Sequence, residues 1–254
     1  MNRSRWTLMV VLGMTTGFMS GLFGIGGGIL MVPGLLFIAK FDSRRAHATS
    51  LAAMLPMAVS GLVTYVVNDT VDWPVVGLLS LGSVFGAFVG TSLLTRLSRR
   101  ALAIAFAVPL LIAAVRLLFE ISGDGRSELT VFTAVIITLI GLVVASVATL
   151  LGIGGGIMLV PILTVVFGIP SVISKGTAIA VILPTSLVGT MRNRSNVLVD
   201  FRAALALGCA GVVMAPVGAI VSNSISAQTS NSLFAVLVFI VTARMLWQAA
   251  TVKN

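Results

Sequence analysis

Charge is scarce in this chain. Only 9% of its 254 residues are Asp, Glu, Lys or Arg, against roughly 25% in a soluble domain. Hydrophobic residues make up 58%, and the mean hydropathy is +1.14. So little charge cannot clothe a water-facing surface, which leaves a polytopic membrane protein. The single cysteine, Cys209, excludes a disulfide framework and a cysteine-held metal. It lies in the apolar run after Phe201 and reads as a small core residue. One histidine and seven acidic residues, placed mostly in loops, supply neither a nucleophile with its base nor a metal cluster. We therefore expect no catalytic residues, no metal and no cofactor, and not an enzyme. The formal charge of +9 does not point to nucleic acid, because the basic residues are scattered among short loops and not gathered on one face.

What is abundant is apolar sequence. Runs fall near 6–39, 46–67, 73–95, 101–119, 129–169, 176–191, 203–222 and 231–249. Most match the roughly 20 residues that a helix needs to cross a hydrocarbon core. Arg3 and Arg5 before Trp6 imitate a signal peptide, but small residues suited to cleavage are missing and the run continues to Ala39, so it reads as the first membrane segment.

GIGGGILMVP at 24–33 returns as GIGGGIMLVP at 152–161, a shift of 128. The shift holds without a gap well beyond the motif. Thr49 answers Thr177, Pro56 answers Pro184, Gly61 answers Gly189, Asp72 answers Asp200, and Arg116 answers Arg244. Such persistence marks a structural repeat. The polar, turn-rich stretch 120–128 divides the chain into a first transmembrane repeat, 1–119, and a second, 129–254, within one integral-membrane domain.

Basic residues collect on the cytoplasmic side of a membrane. Placing Arg3, Arg5, Lys40, Arg44, Arg45, Arg96, Arg99, Arg100, Arg192, Arg194, Arg202, Arg244 and Lys253 inside accounts for 13 of the 16, with Arg126 and Lys175 outside and Arg116 near the outer surface. The stretch 6–40 then starts and finishes on one side, so its glycines must reverse the chain. From Ile29 to Ala39 a helix reaches only about 17 Å, short of a crossing. Each repeat becomes a glycine-broken helical hairpin plus three transmembrane helices, an odd number of net passages. The expected fold is all-α, with two inverted-topology repeats and both termini cytoplasmic.

Recurring GIGGG-x4-P, followed by Thr49 and Thr177 and then by Asp72-Trp73 and Asp200-Phe201, resembles the sulfite exporter TauE/SafE family of membrane proteins. The likeness runs from about Leu8 to Leu246. It implies a transporter in a bacterial inner membrane for sulfite, organosulfonates or related small anions. It also implies that the small hydroxyl residues Thr49, Ser50 and Thr177 stand where the family's do.

The residues themselves suggest where an anion would sit. Gly24, Gly26, Gly27 and Gly28, with Gly152, Gly154, Gly155 and Gly156, let the backbone turn and approach a ligand without side-chain obstruction. Helical arms beginning at Ile29 and Ile157 would aim unpaired amides at the reversal. Pro33 and Pro161 would kink those arms. Thr49, Ser50 and Thr177 are candidate ligand hydroxyls, and the aligned His47 and Lys175 could steer an anion or, at His47, take a proton. Asp72 and Asp200 suit helix caps. The expected partners are the lipid bilayer and a small anionic substrate. A passive anion channel would use the same architecture, and the sequence leaves monomer and homodimer both open.

Overall fold

A computed structural model describes residues 3–93, 111, 115, 129–195 and 198–251. Apart from Leu111 and Val115, the fourth apolar run at 101–119 lies outside the described residues, as do the basic residues Arg96, Arg99, Arg100, Arg116, Arg126 and Lys253 and the dividing stretch 120–128. The described residues are all-helical apart from their connections. The helices are α1 (Arg3–Phe23), α2 (Gly28–Phe37), α3 (Ser43–Val67), α4 (Trp73–Leu93), α5 (Val131–Leu151), α6 (Gly156–Val165), α7 (Ser171–Ser195), α8 (Phe201–Ser224) and α9 (Ala227–Thr251).

The bounds of α1, α2 and α3 recur as those of α5, α6 and α7 after 128 residues, and α4 and α8 start with the same spacing. Local chemistry explains the shared starts. Asp72 accepts from the Val75 amide at 3.3 Å, and Asp200 accepts from the Arg202 and Ala203 amides at 3.1 Å each, so both aspartates cap the helices that follow them. The short arms α2 and α6 instead begin after Gly27 and Gly155, both left-handed at φ 77° and 83°, with no side-chain cap.

Among the described residues, five helices are long and apolar enough to cross a membrane: Trp6–Phe23, Arg44–Val67, Val131–Leu151, Ser171–Asn193 and Phe201–Ser224. By contrast α2 and α6, at 10 residues, span about 15 Å and cannot. Large apolar side chains such as Val131, Phe132, Leu205, Val213 and Ile240 are turned outward, as suits lipid contact. Cys209 is also exposed, on α8, so the expectation that it packs in the core is corrected. The run after Phe201 is apolar because it meets lipid on that side as well as protein on the other.

Small residues let the long helices approach closely. Gly13, Gly17 and Gly21 of α1 lie in turn against Leu207, Gly211 and Ala215 of α8, a parallel pairing. Helix α3 also runs parallel to α8, with Pro56 against Gly208 and the Ser60 hydroxyl donating to the Val212 carbonyl at 2.7 Å. Since α1 and α3 both run with α8, α2 between them must run back. The glycines do reverse the chain. Helices α3 and α7, equivalent in the two halves, pack antiparallel: Leu51 lies against Gly189, Met54 against Ser186, Gly61 against Ile179 and Tyr65 against Gly176.

Candidate functional site

The two glycine turns meet at the centre of the molecule, back to back. A methyl group on Gly28 would overlap the Gly152 carbonyl, and one on Gly156 would overlap the Gly24 carbonyl. Each arm therefore starts against the other half's turn, and only glycine fits there. The remaining six glycines take the left-handed conformation, from φ 61° at Gly152 to 83° at Gly155. All eight glycines named from the sequence are thus brought together.

Among the described residues, the amides of Gly26 to Ile29 and of Gly154 to Ile157 donate to no backbone carbonyl, and neither arm has a side-chain cap. These are the free donors that a helix start offers to an anion. Pro33 and Pro161 lie inside the arms and deny an intrahelical donor to the carbonyl four residues earlier.

Met54 and Ile182 sit between the turns. They are equivalent residues of α3 and α7, both fully buried, and a Cβ on Gly154 would lie 2.8 Å from the Met54 sulfur while one on Gly26 would lie 2.9 Å from Ile182. Together they close the centre with apolar atoms. Sequence reasoning missed this pair, whose only signal was a place two residues before the matched prolines Pro56 and Pro184.

The hydroxyls divide. Ser50 donates to the His47 carbonyl or to the Gly152 carbonyl, each at 2.8 Å, so it grips the second turn. Thr49 and Thr177 are directed away from the turns. The Thr49 hydroxyl accepts the Asp200 amide at 3.0 Å and the Thr177 hydroxyl accepts the Asp72 amide at 3.0 Å, which ties each half to the capped connection of the other.

At that connection Arg45 pairs with Asp200 at 2.7 Å. Burial opposes ionisation of Asp200, but the Ala203 amide, the Arg45 guanidinium and the Arg202 amide outweigh it and hold the carboxyl below its ordinary range. Arg192, further along α7, donates to the Phe88 carbonyl at 2.7 Å and stacks over the Phe88 ring, fastening α7 to α4.

His47 and Lys175 occupy matched places beside the turns. Backbone atoms of His47 lie 2.7 to 2.8 Å from where a Cβ of Gly152 would be, and those of Lys175 lie at the same distances from the Gly24 position. Lys175 does not reach the outer surface as expected. It is fully buried, and its ammonium donates to the hydroxyls of Ser222, at 3.2 Å, and Ser230.

The family model for the sulfite exporter TauE/SafE matches residues 1–117 and 137–253, nearly the whole chain in two stretches. The chain belongs to the TauE/SafE family. It is similar to the probable membrane transporter protein YunE of Bacillus subtilis, at 21% identity with 96% of this chain and 98% of the relative covered. A probable membrane transporter protein of Xylella fastidiosa is 26% identical, with 96% of each chain covered. One from Haemophilus influenzae is 28% identical over 62% of each. No solved structure matches. As a TauE/SafE member the chain is a multi-pass membrane transporter and not an enzyme.

Proposed function

We propose that this transporter carries a small oxyanion such as sulfite or an organosulfonate out across the inner membrane, by alternating access around the paired glycine turns. The observation that carries the reading is the stacking of two uncapped helix starts at the centre of a membrane protein, where unpaired amides and positive dipole ends favour negative charge. The family description, sulfite exporter, supports the substrate class and the direction.

In this reading the repeats 1–119 and 129–254, joined by 120–128, are inserted in opposite senses with both termini cytoplasmic. Antiparallel packing of α3 on α7 supports the inversion. So does the meeting of connections at each end of the molecule: Arg45 with Asp200 at one, Thr177 with Asp72 at the other. Rocking one set of helices against the other would expose the turns to each side alternately. The glycines, with Ser50 holding the second turn, form the ligand site, Thr49 and Thr177 support it through the connections, and His47 and Lys175 supply charge beside it.

Apolar closure between the turns by Met54 and Ile182 suits a carrier better than a conducting channel, whose path would have to be open. Uptake of labelled sulfite, sulfate, thiosulfate and taurine into proteoliposomes, with and without a pH gradient, tests the proposal. Saturable transport of at least one, abolished in Gly27→Val and Gly155→Val proteins that still insert, is the expected result. Full-rate transport by those variants would contradict the site, and ohmic currents would favour the channel.

A further inference from the structure

Lys175 is the one fully buried cation among the described residues, and no carboxylate pairs with it there. An ammonium inside a membrane protein is costly unless something negative joins it, and such groups mark substrate paths more often than they serve packing. Its described partners are neutral: the Ser222 hydroxyl on α8 and the Ser230 hydroxyl on α9. A lysine ammonium has three hydrogens, so one is left over. Because Ser230 accepts from the lysine, its own hydrogen is also free to donate, and it meets no acceptor among the described residues.

The other half does not repeat these residue types. Residues 128 positions earlier are His47 for Lys175, Leu94 for Ser222 and Leu102 for Ser230. Both hydroxyls are thus leucine in the first repeat. The glycine turns and the aspartate caps recur in both repeats, whereas this set of residues does not. It belongs to the second repeat alone.

We propose that Lys175, Ser222 and Ser230 form a one-sided oxyanion site, in which the anion supplies the missing negative charge to the ammonium and accepts from the free hydrogens of Lys175 and Ser230. The site adjoins the first turn, since Gly24 packs against the Lys175 backbone, so an ion leaving the turn's amides meets the lysine next. This rests on the anion-transport reading and adds to it a charged station at one end of the path only. Oxyanions fit better than halides because several acceptor oxygens can meet donors that point from two helices and an ammonium.

The test uses wild type, Lys175→Gln, Lys175→Arg and the Ser222→Ala/Ser230→Ala pair in nanodiscs and proteoliposomes, with sulfite and sulfate as probes and chloride as comparator. Sulfite or sulfate should raise the wild-type Tm by several degrees where chloride does not, and the shift should vanish in Lys175→Gln and in the double serine variant. The transport KM should rise at least tenfold in Lys175→Gln, with partial recovery in Lys175→Arg. If Lys175→Gln does not fold, the serine pair, which retains the lysine, decides. Unchanged KM and Tm shift in the variants, beside a transporting wild type, overturn this site and leave the transport reading standing. A Lys175-dependent Tm shift without transport of any probe does the reverse, and the loss of both in wild type overturns both.

Discussion

The two halves share a skeleton but not a lining. Beside Gly154 and Gly155 the second turn is bordered by Ser83 and Thr185, packed with no room for a water molecule. At the matching place beside the first turn, Met57 of α3 stands for Thr185 of α7, and Gly211 of α8 stands for Ser83 of α4. There the Met57 side chain packs onto Gly211 and occupies the space. Lys175, held by Ser222 and Ser230, likewise differs from His47 at the matching position. Elements that set geometry obey the repeat, namely the turns, the caps and the helix bounds, whereas the polar side chains around the two turns differ: Thr16, Ser20 and Ser50 have Val144, Ala148 and Ala178 at the matching places, and Lys175 and Thr185 have His47 and Met57. A carrier with symmetric bones and an asymmetric lining can hold its solute differently from its two sides.

The largest effect should fall on the shared skeleton. Gly156→Val would drive side-chain atoms into the Gly24 carbonyl, and we expect loss of about 4 kcal/mol or more, read as loss of a monodisperse peak in detergent chromatography. The contrast is Gly77 on α4, which has nothing within 4 Å of a Cβ position; Gly77→Ala should stabilise by about 0.5–1 kcal/mol, read as a raised Tm.

Exchanging linings should separate stability from transport. Met57→Thr empties a fully buried place and should cost about 2–4 kcal/mol with little change in transport KM. Thr185→Met should crowd the second turn beside Gly154, costing about 1–3 kcal/mol and cutting transport about tenfold or more. Equal transport losses in the two variants would remove the functional difference between the halves.

Where the halves agree, the effects should match. Thr49→Val and Thr177→Val each leave an aspartate amide without its acceptor, and each should cost about 1–3 kcal/mol in thermal unfolding. The smallest effect concerns acid. Asp200 is held below its ordinary range, so the stability its carboxylate contributes is present above the unfolded value of about 3.9 and is lost as pH falls through the folded value. Arg45→Ala should move that loss to higher pH, by less than about 1 kcal/mol for a partly exposed pair.

Much of this was legible in the residues because the repeat is gapless: the shift of 128 located both reversals, both caps and the helix starts. Local chemistry suffices for such features, since Asp72 and Val75 lie three residues apart. What escaped notice depends on residues distant in sequence. Thr49 as a scaffold hydroxyl needs Asp200, 151 residues on, and the burial of Lys175 needs Ser222 and Ser230 on two later helices. The outward face of Cys209 was hidden because an apolar run reads alike whether its neighbour is lipid or protein.

The most direct test of opposed insertion uses single cysteines in a Cys209→Ala background, labelled in intact cells or inverted vesicles with a membrane-impermeant maleimide. Arg44→Cys, at the start of α3, and Val166→Cys, just after α6 and exposed, mark corresponding ends of the two halves. Opposed insertion predicts that Arg44→Cys is labelled only from the cytoplasmic face and Val166→Cys only from the external face. Labelling of both from the same face would contradict it.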